Sequence, residues 1–286
     1  MSSKKDLASS RLVSKKEKIF NWIIFVLLLL GAVVMVFPLI YMIATSFMTK
    51  NQILSGTLTI LPDPILIGKY SEVLKKGQFI NGIFNSLKVA IPVLIIGGFT
   101  SSLAAFGFAK MRFRGKNALF LALLATIMIP FAVVMIPQYV MFTKLGWTNT
   151  LLPLIIPGCF GNVSIIFFLR QNLIGIPDDL MEAAKLDGAS GVKAARYITI
   201  PLVKPMLRTC AIFVVIGSLK AFDMIYVLTN GGPAHMTEVP SSLMFSSIFN
   251  LNKYGYGSAI SIFIVVECIV MAVILQKVFL VKEESA

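Results

Sequence analysis

The chain has 286 residues, 57% of them hydrophobic and 14% charged, with a mean hydropathy of +0.86. Such an apolar excess lies outside the range of a soluble domain of this size. The net charge of +13 would suit nucleic acid, but the cations flank apolar runs, where they suit anionic lipid headgroups, and this excludes a nucleic-acid binder.

Residues 1–18 form a basic tail. The apolar run at 20–44 is too long for the core of a signal peptide, and no A-x-A site ends it, so 19–44 reads as an uncleaved first span. Residues 45–84 follow as an outer loop containing Pro62, Asp63 and Pro64, with a short helix expected near 70–75. This loop either packs over an outer opening or meets a partner. Five more stretches reach the length that a bilayer-spanning helix needs, at about 86–109, 117–138, 151–169, 207–228 and 257–280. Pro130 and Pro137 predict kinks in the third span, and Pro153 and Pro157 in the fourth. The fold class is an all-α membrane protein with six transmembrane helices.

Between the fourth and fifth spans lies a polar, foldable segment. Pro177, Asp178 and Asp179 suit the first turn of a short helix, whose dipole favours acids there. Leu180, Met181, Ala183 and Ala184 carry that helix forward, and Gly188 is able to end it in a left-handed conformation. Ser190 can cap a second short helix that runs toward Pro201. The product is a helix–turn–helix knuckle at a membrane surface.

Lysine and arginine set the orientation. With a cytoplasmic N-terminus, 18 of these cations fall in the tails and inner loops and six in the outer loops, while Lys88 and Lys220 lie within spans. The positive-inside rule then puts both termini and the knuckle in the cytoplasm, in a multi-pass protein of the cytoplasmic membrane.

Cys159, Cys210 and Cys268 sit in spans without metal-type spacing and read as small packing residues, and His235 has no partner for a metal or triad. No phosphate-binding G-x-x-x-x-G-K-[ST] occurs, so no ATP or other cofactor is expected on this chain and no metal site is predicted. Ionisable groups inside the membrane are costly and face a cavity or one another. Lys220 and Asp223, three apart on the fifth span, share a face, and Glu267 lies mid-way along the sixth. Either they pair or pack, or they line a path. Asn162 and Tyr226, with Ser164, Thr100, Ser101 and Phe222, lie at depths where amides, hydroxyls and rings could line such a path.

Glu182, Ala183, Ala184, Asp187, Gly188, Ala189, Ile198, Pro201 and Pro205 match the "EAA" loop of permease subunits in binding-protein-dependent ABC importers, though Ala195 stands where an aromatic is frequent. The match resembles that family further through Asn85-Ser86-Leu87, through 106–113 (FGFAKMRF), Ile129-Pro130, Ile136-Pro137, Leu145-Gly146, Asn149-Thr150, Arg170-Gln171 and 176–180, and so spans about 82–280. The pattern is similar to the carbohydrate-uptake branch, in particular to the maltose system's G-type permease. Leu228–Pro233 (LTNGGP) with Thr237 and Glu238 is similar instead to the F-type partner's outer loop; it is either a helix stop or a contact for a binding protein.

The resemblance implies a type I permease core at 85–280 with a coupling loop at 171–206 and a short tail at 281–286. It implies a non-catalytic subunit that forms half of a sugar path and couples to a separate ATPase, which uses ATP and Mg, through Glu182, Ala183, Ala184, Asp187, Gly188, Ala189 and Pro201. The implied partners are ABC ATPase subunits, a second and different permease chain, an extracytoplasmic solute-binding protein, the sugar and membrane lipid. Import of an amino acid, peptide, polyamine or phosphate by the same fold is the alternative. A self-contained secondary transporter, with Asp223 or Glu267 carrying the proton, is the rival from another class.

Overall fold

A computed structural model describes residues 15–186, 188–189 and 191–279. Its long first helix α1 (Lys15–Phe47) is apolar on every side and exposed along most of its length, as a lipid-facing helix is. Only its end is enclosed: Ala44, Thr45, Ser46 and Met48 are buried where α1 meets the last helix. The outer loop carries α2 (Lys50–Leu54) and α3 (Gly68–Lys75), the latter where a short helix was expected. Tyr70 fastens this loop to the bundle, its hydroxyl 2.7 Å from Ser46 Oγ and its ring against Phe47 and Phe263.

The second span is α4 (Gln78–Pro92), a π-helical turn (Val93–Gly97) and α5 (Gly98–Lys110), continuous over Gln78–Lys110. Next come α6 (Lys116–Ala125), a 3-10 turn (Thr126–Met128) and α7 (Phe131–Lys144). The kink expected in the third span is in fact a break with a bend of 94°. Pro130 crowds the residue before it into extended backbone, and Ile129 has ψ 114, so the helix stops and restarts. In the fourth span α8 (Leu152–Cys159) and α9 (Val163–Ile174) are likewise separated, by Gly161 at φ +108 and by Asn162, whose side chain caps α9.

The knuckle holds α10 (Asp178–Leu186) and α11 (Val192–Ala194). The second arm is not a separate short helix, as the sequence suggested. It runs through a π turn (Ala195–Thr199) into α12 (Ile200–Leu219) without interruption. Pro92 and Pro201 each adjoin a π turn, and each removes one donor from the helical ladder.

The fifth span, Val192–Leu228, is interrupted near its end. After α12 the backbone breaks at 220–222 and resumes as α13 (Asp223–Leu228), followed by α14 (Pro240–Phe245), a π turn (Ser246–Asn250) and α15 (Tyr254–Val278). Lys220 and Asp223 thus stand on opposite sides of a break, both exposed and not ion-paired, so the shared face read from their spacing does not exist.

Among the described residues, five helices are long and apolar enough to cross a bilayer, and six when the bent α6–α7 pair is one span. No strand occurs among the described residues. One buried cluster joins α5, α6, α9 and α12 around Phe120, Leu169 and Cys210, and a second joins α3, α4, α14 and α15 around Phe79, Ala259 and Ile260. The closest backbone approach is between the second and fourth spans. A Cβ on Gly97 would come 2.3 Å from the Gly158 carbonyl oxygen, whereas one on Gly98 would meet nothing within 4 Å. Gly97→Ala is therefore expected to destabilise the fold by about 1–3 kcal/mol and Gly98→Ala to be neutral, as read by thermal unfolding in detergent.

Candidate functional site: a knuckle, an outer turn and a central cavity

The knuckle is built as its composition requires. Asp178 and Asp179 occupy the first turn of α10, and Ala184 is buried. Glu182 and Ala183 are exposed, and Ala189 is half-buried. The Ala189 N–H donates to the Ala184 carbonyl at 2.8 Å, closing the helix end over Gly188 at φ +78. Pro201 is exposed near the start of α12. Asp187 and Ser190 lie outside the described residues. The outward surface also carries Leu186, Val192 and Tyr197, which are 89%, 83% and 71% exposed. Sequence reasoning missed these three as a group, although large apolar residues in an otherwise polar loop are a signal for a covered surface.

A latch ties the knuckle to the second span. Lys110, the last residue of α5, donates to the Ile176 carbonyl at 2.7 Å and to Asp178 Oδ1 at 2.6 Å. That hydrogen bond, and the charge behind it, hold the Asp178 carboxyl below its ordinary pKa. Beside it Arg170 donates from Nε to the Phe108 carbonyl at 3.2 Å and lies over the Phe120 ring, which joins α9, α5 and α6. A cleft of about 460 Å³ lies behind α10, lined by Phe106, Lys110, Arg112, Met181, Glu182 and Thr199.

At the other end, two motifs read separately turn out to be bonded. Asn85 is buried, and its Nδ2 donates to the carbonyls of Met236 and Glu238 at 2.8 and 2.9 Å. The turn it grips is knotted by Thr237 Oγ1, which donates to the Gly232 carbonyl at 2.6 Å, and by a 2.5 Å contact between His235 Nδ1 and Glu238 Oε2. Burial pushes the Glu238 carboxyl up in pKa, and His235 opposes the shift.

Between these ends a cavity of about 390 Å³ opens where the helices break. Gln138, Asn162, Phe131, Phe213, Ser218 and Met224 are among its lining residues. Gln138 Oε1 is buried there without a hydrogen-bond partner in the chain. Of the path candidates from sequence, Asn162 alone lines this cavity; Lys220, Asp223, Tyr226 and Glu267 do not. Tyr226 stacks on Phe222 and meets Phe245 edge-on. Glu267 has both carboxyl oxygens buried and unpartnered within the chain. Thr100 and Ser101 do not offer free hydroxyls: Thr100 donates to the Cys159 carbonyl, and Ser101 donates to the Gly97 carbonyl while accepting from the Asn162 N–H. Gln138 was legible as a lone polar residue in an apolar span, but periodicity gave no reason to aim it inward.

The family of binding-protein-dependent transport system inner membrane components matches residues 97–280. The chain belongs to this family. It is a multi-pass membrane permease component, and its matched region contains the whole knuckle and the last four spans. Over its length the permease is similar to the arabinooligosaccharides transport system permease protein AraQ of Halalkalibacterium halodurans, 26% identical over 269 residues, 93% of this chain and 95% of the other. It is equally similar to the sn-glycerol-3-phosphate transport system permease protein UgpE of Rhizobium meliloti, 26% identical over 272 residues, 93% and 96% of the two chains. Its fold matches a chain of a bacterial ABC transporter involved in import of the acidic polysaccharide alginate, with TM-score 0.76 and 22% identity over 93% of this permease and 99% of that chain.

The outer turn of the permease depends on one amide. Asn85→Ala leaves two loop carbonyls without their donor, at a cost of about 1–3 kcal/mol. Hydrogen exchange should accelerate across 229–238 and leave the knuckle unchanged.

Proposed function

We propose that this permease forms half of the solute path of an ATP-driven sugar importer in the cytoplasmic membrane. The knuckle lies on the cytoplasmic side, as the distribution of lysine and arginine supports, and seats on a separate ATPase that binds ATP and Mg. A second permease chain completes the path, and an extracytoplasmic binding protein delivers solute to the side of the Asn85-held turn. A related alginate transporter was solved with its pentasaccharide-bound periplasmic protein, which supports such a partner.

The observation that carries the reading is the knuckle itself. It presents Glu182, Ala183 and Leu186 of the first arm and Val192 and Tyr197 of the second outward, and the second arm continues unbroken into a membrane span. A push on that surface reaches the bundle without a hinge. Closure of the ATPase would drive the arms inward and reorient the spans around the cavity.

The solute class follows from the cavity wall. Polar side chains (Gln138, Asn162, Ser218) and rings (Phe131, Phe213) line it, with no charged side chain. The Asn162 oxygen caps α9 and the Ser218 hydroxyl donates to the Val214 carbonyl, which leaves the Asn162 amide nitrogen and a Ser218 lone pair for solute. Such a wall pairs hydroxyls and covers a pyranose face, but offers nothing to neutralise a phosphate. A neutral carbohydrate fits this half of the path better than the phosphate or acidic solutes of some relatives. Gln138→Ala should weaken apparent affinity for a neutral oligosaccharide about tenfold, since one hydroxyl loses its acceptor. Uptake of sn-glycerol-3-phosphate, the comparison solute, should stay absent in both proteins.

Gly188 tests the coupling role. Nothing lies within 4 Å of a Cβ added there, so the penalty for a substitution is conformational, at φ +78, and not steric. Forcing a side chain into that region costs about 1–2 kcal/mol and reshapes the turn. Gly188→Asp is expected to reach the membrane in normal amount, lose the ATPase on affinity purification and abolish uptake. Full uptake with normal expression would remove the knuckle from the mechanism.

A further inference from the structure

The first arm of the knuckle reaches the cavity through α5. At its end, α5 offers Lys110 to the start of α10; the Lys110 side chain is 16% exposed, whereas Asp178 opposite is 74% exposed. Nine residues earlier, about 14 Å along the axis, α5 offers Thr100 and Ser101 to the break between α8 and α9. Thr100 holds the carbonyl of Cys159 at 2.8 Å, and Ser101 Oγ holds the N–H of Asn162 at 3.0 Å. These two contacts grip both sides of the break that forms part of the cavity wall.

Two polar contacts cross the cleft behind α10 among the described residues. The Lys110 ammonium spans it to Asp178, and Met181 Sδ lies 3.8 Å from Thr199 Oγ1. The ammonium is also in an awkward place. It sits beside the N-terminus of α10, where the helix dipole repels a cation. The Asp178 carboxylate and the Ile176 carbonyl together make the position favourable. Without the carboxylate the contact turns from attraction to repulsion.

We propose that α5 is a strut carrying movement of the knuckle to the cavity wall, with Lys110 as the positioning residue at its loaded end. The proposal rests on the importer reading and adds to it a route: knuckle, Lys110, α5, Thr100 and Ser101, then residues 159–162. The continuity of the second arm with α12 supplies a parallel route to a different side of the cavity, at Phe213 and Ser218. The strut is what moves the break.

Cys159 is a native reporter at that break, half-buried and free. The importer is purified with its ATPase from a Cys210→Ser, Cys268→Ser background. The rate of Cys159 labelling by N-ethylmaleimide is then compared without nucleotide and with ATP, Mg and vanadate. In the parent, nucleotide is expected to change the rate by about tenfold, the scale of one charge-assisted contact. Lys110→Gln and Asp178→Asn should each reduce that response to less than about twofold with the ATPase still bound, and Lys110→Arg should keep it. The double variant Lys110→Gln, Asp178→Asn should be no worse than either single one, as partners in one contact require. A parent-like response in Lys110→Gln or in Asp178→Asn overturns the strut, as does a parent with bound ATPase and no response. Asp178→Asn, at an exposed position, decides the matter if Lys110→Gln does not assemble. Failure of the parent to retain any ATPase instead removes the importer reading, and this inference with it.

Discussion

In hydrocarbon a backbone amide or carbonyl has no water to turn to, so every interruption of a helix must be repaired from within the protein. This chain interrupts its helices at Ile129–Pro130, at 160–162 and at 220–222, and the arrangement of the bundle follows from how those interruptions are managed. At 160–162 the repair is explicit: Asn162 caps the helix it begins, Thr100 takes the Cys159 carbonyl, and Ser101 takes the Asn162 N–H. Close approach of Gly97 to Gly158 brings α5 near enough for this. The breaks converge on one cavity, because unpaired or re-aimed polar groups are tolerated at membrane depth only where they line enclosed space.

The same constraint separates the two kinds of polar residue in the spans. Hydroxyls such as those of Thr100 and Ser101 are consumed in holding backbone together, whereas Gln138, a residue of the cavity wall, has a carbonyl oxygen without a partner in the chain. A polar residue at membrane depth is thus not a path residue by virtue of being polar. Its hydrogen bonds decide. Glu267 is the converse case: its oxygens are buried and unpartnered, yet it stands away from the cavity lining.

At the knuckle end, the physics changes from satisfying backbone to fixing a surface segment. A half-buried ammonium, a carboxylate and a carbonyl fix the first arm, while the second arm is one helix with α12. At the opposite end Asn85 plays a comparable part, gripping a turn 151 residues away in sequence through two carbonyls. The permease is anchored at both faces by a single polar side chain presented from the second span, Asn85 near its start and Lys110 at its end.

The fold class, the spans and the knuckle were legible in the sequence because they are local. Runs of apolar residues fix span length through the thickness of the bilayer, and the EAA spacing with Gly188 fixes a short helix and its stop. Pro130 announced that the third span would not be straight. What local pattern does not encode is the partner of each polar group. Nor does it encode the size of the 94° bend, the break at 220–222 that separates Lys220 from Asp223, or the place of Gln138 on the cavity wall. The sequence by itself determined which segments cross the membrane and which one folds as a helical knuckle between them. Only the tertiary structure decided that Asn85 holds the outer turn, that Lys110 holds the knuckle, and that broken helices meet at one cavity, because those contacts are satisfied across the bundle and not along the chain.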